Sequence, residues 1–306
     1  MTRPIILYEN LRTVAYAPFY LAIERGDWAA EGVEVDVRLS PEPVETAQGL
    51  LDGRADVSWG GPMRVLLHHD RDPDCPLVCF GQVVARDPFM LVGRRFRRRF
   101  QLTDLKGLRI AVASEVPTPW MCFQDDLRRA GMDPATINRA ADAPMARNLE
   151  RLARGEVDVV QVFEPYAAIA QHDAVGHLWR RFATRGDLGY TSFYATRDFV
   201  EGNRGTCIGL LRGIHRAVDA LYTQPLKTTV AAIAGYFPDL PRPVLTRAIR
   251  GYRDSGLWAH STELPVHAVA ALKAALLSGG LITRDVPYDR IVDDTLWRAA
   301  ELGDVS

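Results

Sequence analysis

The chain has 306 residues, more than one core comfortably spans and suited to two lobes of ordinary domain size. Apolar residues make up 47% and charged residues 25%, and no apolar run is long enough to cross a bilayer as a helix. With a formal net charge of −1, nothing in the overall balance points to nucleic acid or to an anionic membrane surface, and a neutral or weakly charged partner is expected.

Met1-Thr2-Arg3-Pro4 leads straight into Ile5-Ile6-Leu7-Tyr8, which reads as a buried strand, with no apolar leader or small-residue cleavage site before it. As written the chain carries no export signal and reads as cytoplasmic; it reads as periplasmic if a leader has been removed. Pro18 to Ala30 has apolar residues at helical spacing and is expected to stop at Gly32, after which Val33 to Arg38 alternates as a half-buried strand. Val44 to Leu51 predicts a helix ended by Gly53, and Ala55 to Trp59 a strand that breaks at Gly60-Gly61-Pro62, where a helix should start.

The same order then repeats. Leu108 to Val112 is a strand ending at Ser114 to Pro119, followed by a helix to Ala130 that stops at Gly131. Asn148 to Ala153 is a helix stopped by Gly155, and Val157 to Phe163 is a strand broken at Glu164-Pro165. Gly53 and Asp56 fall into register with Gly155 and Asp158, an offset far longer than a solenoid repeat, so the expectation is two homologous α/β lobes. Phe89 to Val92 and Thr191 to Thr196 are assigned as the two hinge crossovers, giving lobe I as 1–91 plus 195–306 and lobe II as 92–194. From Gly202 onward the chain is mostly helical, with helices expected at Ile208–Tyr222, Leu226–Tyr236, Pro243–Tyr252, Pro265–Ser278 and Tyr288–Glu301.

In open α/β sheets, ligands bind beyond the carboxyl ends of the strands, where loops enter helix N-termini. That places candidate binding residues on the loops at Asn10 to Phe19, Trp59 to Met63, Gln82-Val83, Ser114 to Trp120, Phe163 to Tyr166 and Gly189 to Thr191. Tyr16, Phe19, Trp59, Trp120, Phe163, Tyr166 and Tyr190 supply flat walls for a planar ligand. Asn10, Gly60, Gly61, Pro62, Gln82, Ser114 and Thr118 lie on the same loops. Glu115 and Glu164 can accept from ligand amino groups, and Arg12 can grip a carboxylate.

Other signals are structural. Cys75, Cys79, Cys122 and Cys207 have no metal-site spacing and read as small core residues. His68-His69-Asp70 reads as a solvated helix end, since adjacent helical side chains diverge by about 100°. The basic run Arg94 to Phe100 reads as an exposed loop or strand edge. No metal site, cofactor motif, phosphate loop or nucleophile elbow occurs.

Tyr16-Ala17-Pro18-Phe19-Tyr20-Leu21-Ala22-Ile23-Glu24-Arg25-Gly26-Asp27-Trp28 followed by Glu31-Gly32-Val33-Glu34-Val35 resembles the opening of the sulfonate, nitrate and thiamine-pyrimidine solute-binding superfamily. Ala47-Gln48 to Pro62 and Leu105-Lys106-Gly107-Leu108-Arg109-Ile110-Ala111-Val112 resemble its "A-L-x-x-G-x-A-D-x-x-x-x-G-P" and "L-K-G-K-x-I-A-V" patterns. The resemblance implies a type II periplasmic-binding-protein fold. A monomer would close over a small organic ligand, a pyrimidine or an aromatic acid, and pass it to an ABC permease without a cofactor. Enzyme relatives share the fold. The reactive lysine and histidine of the thiamine-pyrimidine precursor synthase align with Gly60 and Arg64, its cysteine-rich motif is missing, and the loop after the first strand lacks the cysteine of a sulfinate desulfinase. An enzyme of this fold, or a cytosolic ligand sensor, is the alternative.

Overall fold

The computed structural model describes residues 3–302. Met1 and Thr2, which belong to the leader reading, lie outside these residues, as do the last residues of the expected first lobe.

The chain enters as β1 (Ile5–Glu9), α1 (Ala17–Glu24), β2 (Val35–Leu39), α2 (Thr46–Leu51), β3 (Val57–Gly60), α3 (Met63–Arg71) and β4 (Leu77–Arg86). It then builds β5 (Met90–Gly93), β6 (Arg109–Ala111), α4 (Thr118–Arg129), β7 (Asn138–Arg139), α5 (Met145–Ala153), β8 (Val159–Val162), α6 (Tyr166–His172) and β9 (His177–Arg181), and returns through β10 (Asp187–Thr196). The helical remainder is α7 (Arg197–Gly202), α8 (Arg204–Thr223), α9 (Leu226–Ile233), α10 (Arg242–Asp254), α11 (Val266–Ser278), α12 (Tyr288–Ile291) and α13 (Thr295–Leu302).

Two five-stranded sheets result, ordered β2-β1-β3-β10-β4 and β7-β6-β8-β5-β9. Their plans match strand for strand. In each, the first three strands in sheet order are parallel, and the fourth is an antiparallel strand on which the chain arrives from the other lobe. The duplicated glycines take the same left-handed backbone, φ +73° at Gly53 and +72° at Gly155. Asp56 Oδ2 accepts the N–H of Ile6 at 2.8 Å, and Asp158 Oδ2 accepts that of Arg109 at 3.0 Å, so the two aspartates do the same work one lobe apart.

Several expectations shift. The first helix ends at Glu24, not Ala30, because the chain turns at Gly26 (φ +69°) into a separate short turn that Gly32 closes. Sheets change between Arg86 and Met90 and between Arg181 and Asp187, so most of 89–92 and all of 191–196 are strand rather than crossover. Gln82 and Val83 lie within β4, a ten-residue strand, not on a loop. The expected 288–301 helix breaks at Val292, which bridges to Cys79, and Asp293 donates its N–H to the Cys79 carbonyl at 2.8 Å. His69 is buried with Nε2 2.9 Å from the Leu77 carbonyl, so only His68 keeps partial access to solvent. The four cysteines are free and buried.

The C-terminal helices span both lobes. Arg128 of α4 donates to Ser278 of α11 at 2.8 Å. The Tyr252 hydroxyl of α10 accepts the Glu164 N–H at 2.8 Å and donates to the Pro88 carbonyl at 3.2 Å.

Candidate ligand cleft

Parallel strands deliver their carboxyl ends to one side of each sheet, and here those ends face each other. The loop after β1 (Asn10, Leu11, Thr13, Ala15, Tyr16), the turn into α3 (Gly61, Met63, Arg64), the first crossover (Pro88, Phe89), the entry to α4 (Val116, Thr118), Phe163 after β8, and Tyr190 and Thr191 of β10 enclose one cavity. Its volume is about 50 Å³, so the lobes stand nearly shut over it. Thr13 Oγ1 reaches the Glu164 carbonyl across the gap at 3.5 Å.

The wall is aromatic and polar by turns. The Phe89 ring lies 5.0 Å from Phe163 and 6.2 Å from Tyr190. Tyr16 donates its hydroxyl to Asn10 Oδ1 at 2.7 Å, which fixes both side chains, whereas the buried Tyr190 hydroxyl has no partner. Burial pushes both phenols upward, so they stay protonated and serve as neutral hydrogen-bonding groups.

Arg64 dominates the electrostatics. It sits in the first turn of α3 because Gly60-Gly61-Pro62 ends β3 and turns the chain into the helix, and its N–H bonds the Gly61 carbonyl at 3.0 Å. The residue is 6% exposed, its Nε has no partner, and no carboxylate pairs with it among the described residues. A buried guanidinium without a counter-ion is costly, by several kcal/mol in general. The N-terminal end of α3 adds partial positive charge to the same place.

Of the residues expected on the cleft loops, Asn10, Tyr16, Gly61, Thr118, Phe163 and Tyr190 come together around this cavity. The others go elsewhere. Arg12 turns to Glu9, with Nε 3.0 Å from Oε2, and its guanidinium lies 5.4 Å from the Tyr20 and Tyr236 ring centres. Phe19 and Trp59 are fully buried and stacked at 4.2 Å beneath the loops. Gly60 ends β3 against Tyr194, whose ring and hydroxyl lie 3.3 Å from where its Cβ would be, and Pro62 caps α3. Gln82 is buried in β4. Ser114 is exposed, and Glu115 accepts the N–H groups of Ser114 and Met145 at 3.1 and 2.8 Å. Trp120 packs edge-on to Phe123 under the Arg139 guanidinium, and Tyr166 is half-buried at the start of α6. Glu164 is buried beside the cleft with Oε2 accepting the Ala168 N–H at 2.8 Å and Oε1 unpartnered; burial raises its carboxyl to about 7.

Leu11, Thr13, Ala15, Met63, Val116 and Thr191 complete the wall from the candidate loops without having been named individually, and Arg64, Pro88 and Phe89 join it from outside those loops. Arg64 had a usable signal, a cation directly after a glycine-rich strand end, but it reads first as the loss of a histidine.

Among the described residues, no Cys, His, Lys, Asp or Glu lines the cavity. Burial pushes the Cys79 and Cys207 thiols up to about 12, which leaves them poor nucleophiles. A larger groove of about 590 Å³ lies between α4, the second crossover and α11, but it contains paired charges, Arg129 with Asp125 and Arg185 with Asp126.

Comparison with known proteins gives the same architecture. SsuA of Escherichia coli, a periplasmic aliphatic sulphonate binding protein, superposes with a TM-score of 0.78 at 18% identity over 97% of this chain and all of its own. The desulfurization enzyme DszB superposes at 0.70 with 15% identity over 98% of this chain and 99% of its own, so the fold alone separates neither role. In sequence, YtlA of Bacillus subtilis (strain 168), assigned as a binding protein by inference, is 24% identical over 287 residues, 93% of this chain and 86% of that one. The family described as NMT1/THI5 like matches residues 13–228. That match covers more than half of the sequence, and the chain belongs to the NMT1/THI5-like family.

Proposed function

We propose that this chain is a solute-binding protein of the ABC-importer type that closes its two lobes over a small organic anion and presents it to a permease. The observation that carries the reading is Arg64, a buried cation in a ring-lined cavity with no carboxylate paired to it among the described residues. A carboxylate or sulfonate placed there relieves the cost of the bare charge, and Phe89, Phe163, Tyr16 and Tyr190 cover an apolar body. Of the two ligand classes expected from sequence, an aromatic acid therefore fits better than a neutral pyrimidine. The name of the sulphonate-binding SsuA points the same way.

Closure bends the short segments between Arg86 and Met90 and between Arg181 and Asp187, with the lobes divided there. The hydroxyls of the wall come from threonine and from tyrosines that burial keeps protonated, with no Cys, Ser, His, Lys, Asp or Glu beside them among the described lining residues, which favours holding a ligand over transforming it.

The test is a thermal-shift and calorimetric screen of aryl carboxylates, alkyl and aryl sulfonates and neutral pyrimidines. A true ligand at 100 times its dissociation constant adds about 2.7 kcal/mol of stability. Anions should shift the melting temperature and be recovered unchanged. Stabilisation by pyrimidines alone sinks the anion assignment, and consumption of a stabilising compound sinks the binding-protein assignment in favour of an enzyme.

A further inference from the structure

The net charge of −1 conceals one local concentration of positive charge. Residues 94–109 contain seven basic residues and one acidic one. The segment leaves from and returns to one end of the second sheet, and between these points Phe100 to Thr103 run along the groove beside the second crossover. β5 runs antiparallel to β8 with Gly93 opposite Val159, so the chain leaves β5 at the amino end of β8, the end away from Phe163 and the cleft. β6 begins at that same end, with Ile110 opposite Val159, which brings the exposed Lys106 and Arg109 to this pole.

The loop is built rather than loose. Trp179 of β9 donates Nε1–H to the Arg95 carbonyl at 2.8 Å, lies 5.1 Å from the Phe100 ring and carries the Arg97 guanidinium at 4.9 Å. Arg94 and Arg97 reach Asp158 and Asp104 at 3.4 and 3.7 Å. Arg95, Arg98 and Arg99 remain exposed, with no ion-pair partner among the described residues, and between them Phe96 is 72% exposed. Phe96 meets the exposed His177 ring edge-on at 5.7 Å and otherwise stands largely in water beside three free guanidinium groups, which suits a surface that is acidic outside and apolar just beneath.

We propose that this pole of the second lobe docks on an anionic lipid bilayer, with Arg95, Arg98 and Arg99 on lipid phosphates and Phe96 inserted between headgroups. Guanidinium forks match phosphate oxygens, and juxtaposed basic residues gain from the negative surface potential. An acidic protein partner would leave the protruding Phe96 tip without a groove to fill, and a nucleic acid would gain little from one isolated ring. Because the docked pole is opposite the cleft, a tethered molecule keeps its cleft open to solvent. Surface tethering and cleft-first delivery to a permease in the same membrane must then alternate. The proposal is independent of which solute the cleft binds.

The experiment is co-sedimentation of the full chain with vesicles of phosphatidylcholine alone and of phosphatidylcholine mixed with phosphatidylglycerol. Retention should require phosphatidylglycerol, fall with added salt, and drop by about fivefold for each of R95Q, R98Q and R99Q. Phe96→Ala should weaken retention while leaving its salt dependence intact, and all four variants should keep the parent melting temperature. Unchanged retention of the triple glutamine variant, equal retention on both vesicle types, no retention on either, or displacement from the vesicles by equimolar duplex DNA each overturns the proposal.

Discussion

Arg185, in the second crossover, pairs with Asp87, in the first, and the same guanidinium holds Asp126 of α4 at 2.6 Å. Two residues further on, Asp187 pairs with Arg86 at 3.2 Å on the side of the first sheet. Two charge pairs thus bracket the link between Arg86 and Asp87 on one crossover and Gly186, at φ +96°, on the other. The inner pair ties both crossovers to the second lobe and the outer pair ties them to the first, so bending is confined to what lies between.

The two pairs should respond differently to substitution. The Asp87 side chain is fully buried, and Asp87→Asn leaves Arg185 short of one counter-charge, which should cost about 3 kcal/mol in urea unfolding. Asp187→Asn breaks a pair exposed on both sides and should cost less than about 1 kcal/mol. Gly186→Ala forces a side chain into a backbone region that L-residues avoid and should cost about 1–2 kcal/mol. If Gly186 is the bending point, that variant also alters the ligand-dependent change in radius of gyration by solution scattering. An unaltered change moves the bend elsewhere.

Trp59 and Tyr190 test where the wall of the cleft begins. Trp59 stacks on Phe19, pairs with the Trp28 ring at 6.3 Å and reaches Phe193 through Phe19, with no exposed surface. Trp59→Ala should therefore lower stability by about 3–5 kcal/mol by urea unfolding. Tyr190→Phe removes only a hydroxyl that has no protein partner, so it should leave stability unchanged or raised and alter ligand affinity by calorimetry. A stable Trp59→Ala protein with weakened ligand binding would return that tryptophan to the cleft wall.

This contrast also shows how far sequence reasoning reaches. Gly53/Asp56 and Gly155/Asp158 were legible because a left-handed turn and a side-chain bond to a neighbouring strand are local demands, met the same way in both lobes. The strand end near Trp59 was legible too, though Trp59 and Gly60 belong to β3 rather than to a loop, but side-chain direction was not: successive strand residues face opposite ways, and packing under α1 decides which. β4 was missed because it is buried on both faces and so shows no alternation. A Cβ on its Gly81 would lie 2.2 Å from Leu211 of α8, so the glycine records a close helix approach. The unpaired state of Arg64 is a property of what surrounds it in space, which no local pattern encodes.

Glu164 gives a pH dependence with a definite sign. Burial raises its carboxyl from 4.5 to about 7, above its unfolded value. Its protonated form is favoured by folding, so this contribution to stability is fully present below about pH 4.5 and is lost as pH rises toward 7. At ~1.4 kcal/mol per pKa unit the loss amounts to about 3 kcal/mol. Glu164→Gln keeps the oxygen that accepts from Ala168 and removes the titration. Urea unfolding from pH 4 to 8 should show the parent falling relative to the variant across that window, whereas parallel profiles would mean that Glu164 ionises without cost.

Arg64 yields the most discriminating substitution, because stability and binding should move in opposite directions. In the free protein its guanidinium is buried with an unpartnered Nε and no carboxylate pair among the described residues, so Arg64→Gln removes a desolvated charge. The melting temperature of the free variant should rise, by the equivalent of roughly 1–3 kcal/mol. The ligand-induced shift should vanish, since the anion then loses its only charged partner among the side chains lining the cavity. Arg64→Lys keeps the charge but not the fork, and should retain weakened binding. A variant that loses stability without losing affinity would make Arg64 a structural group, held by contacts other than an ion pair, and would leave the cleft without an anion anchor.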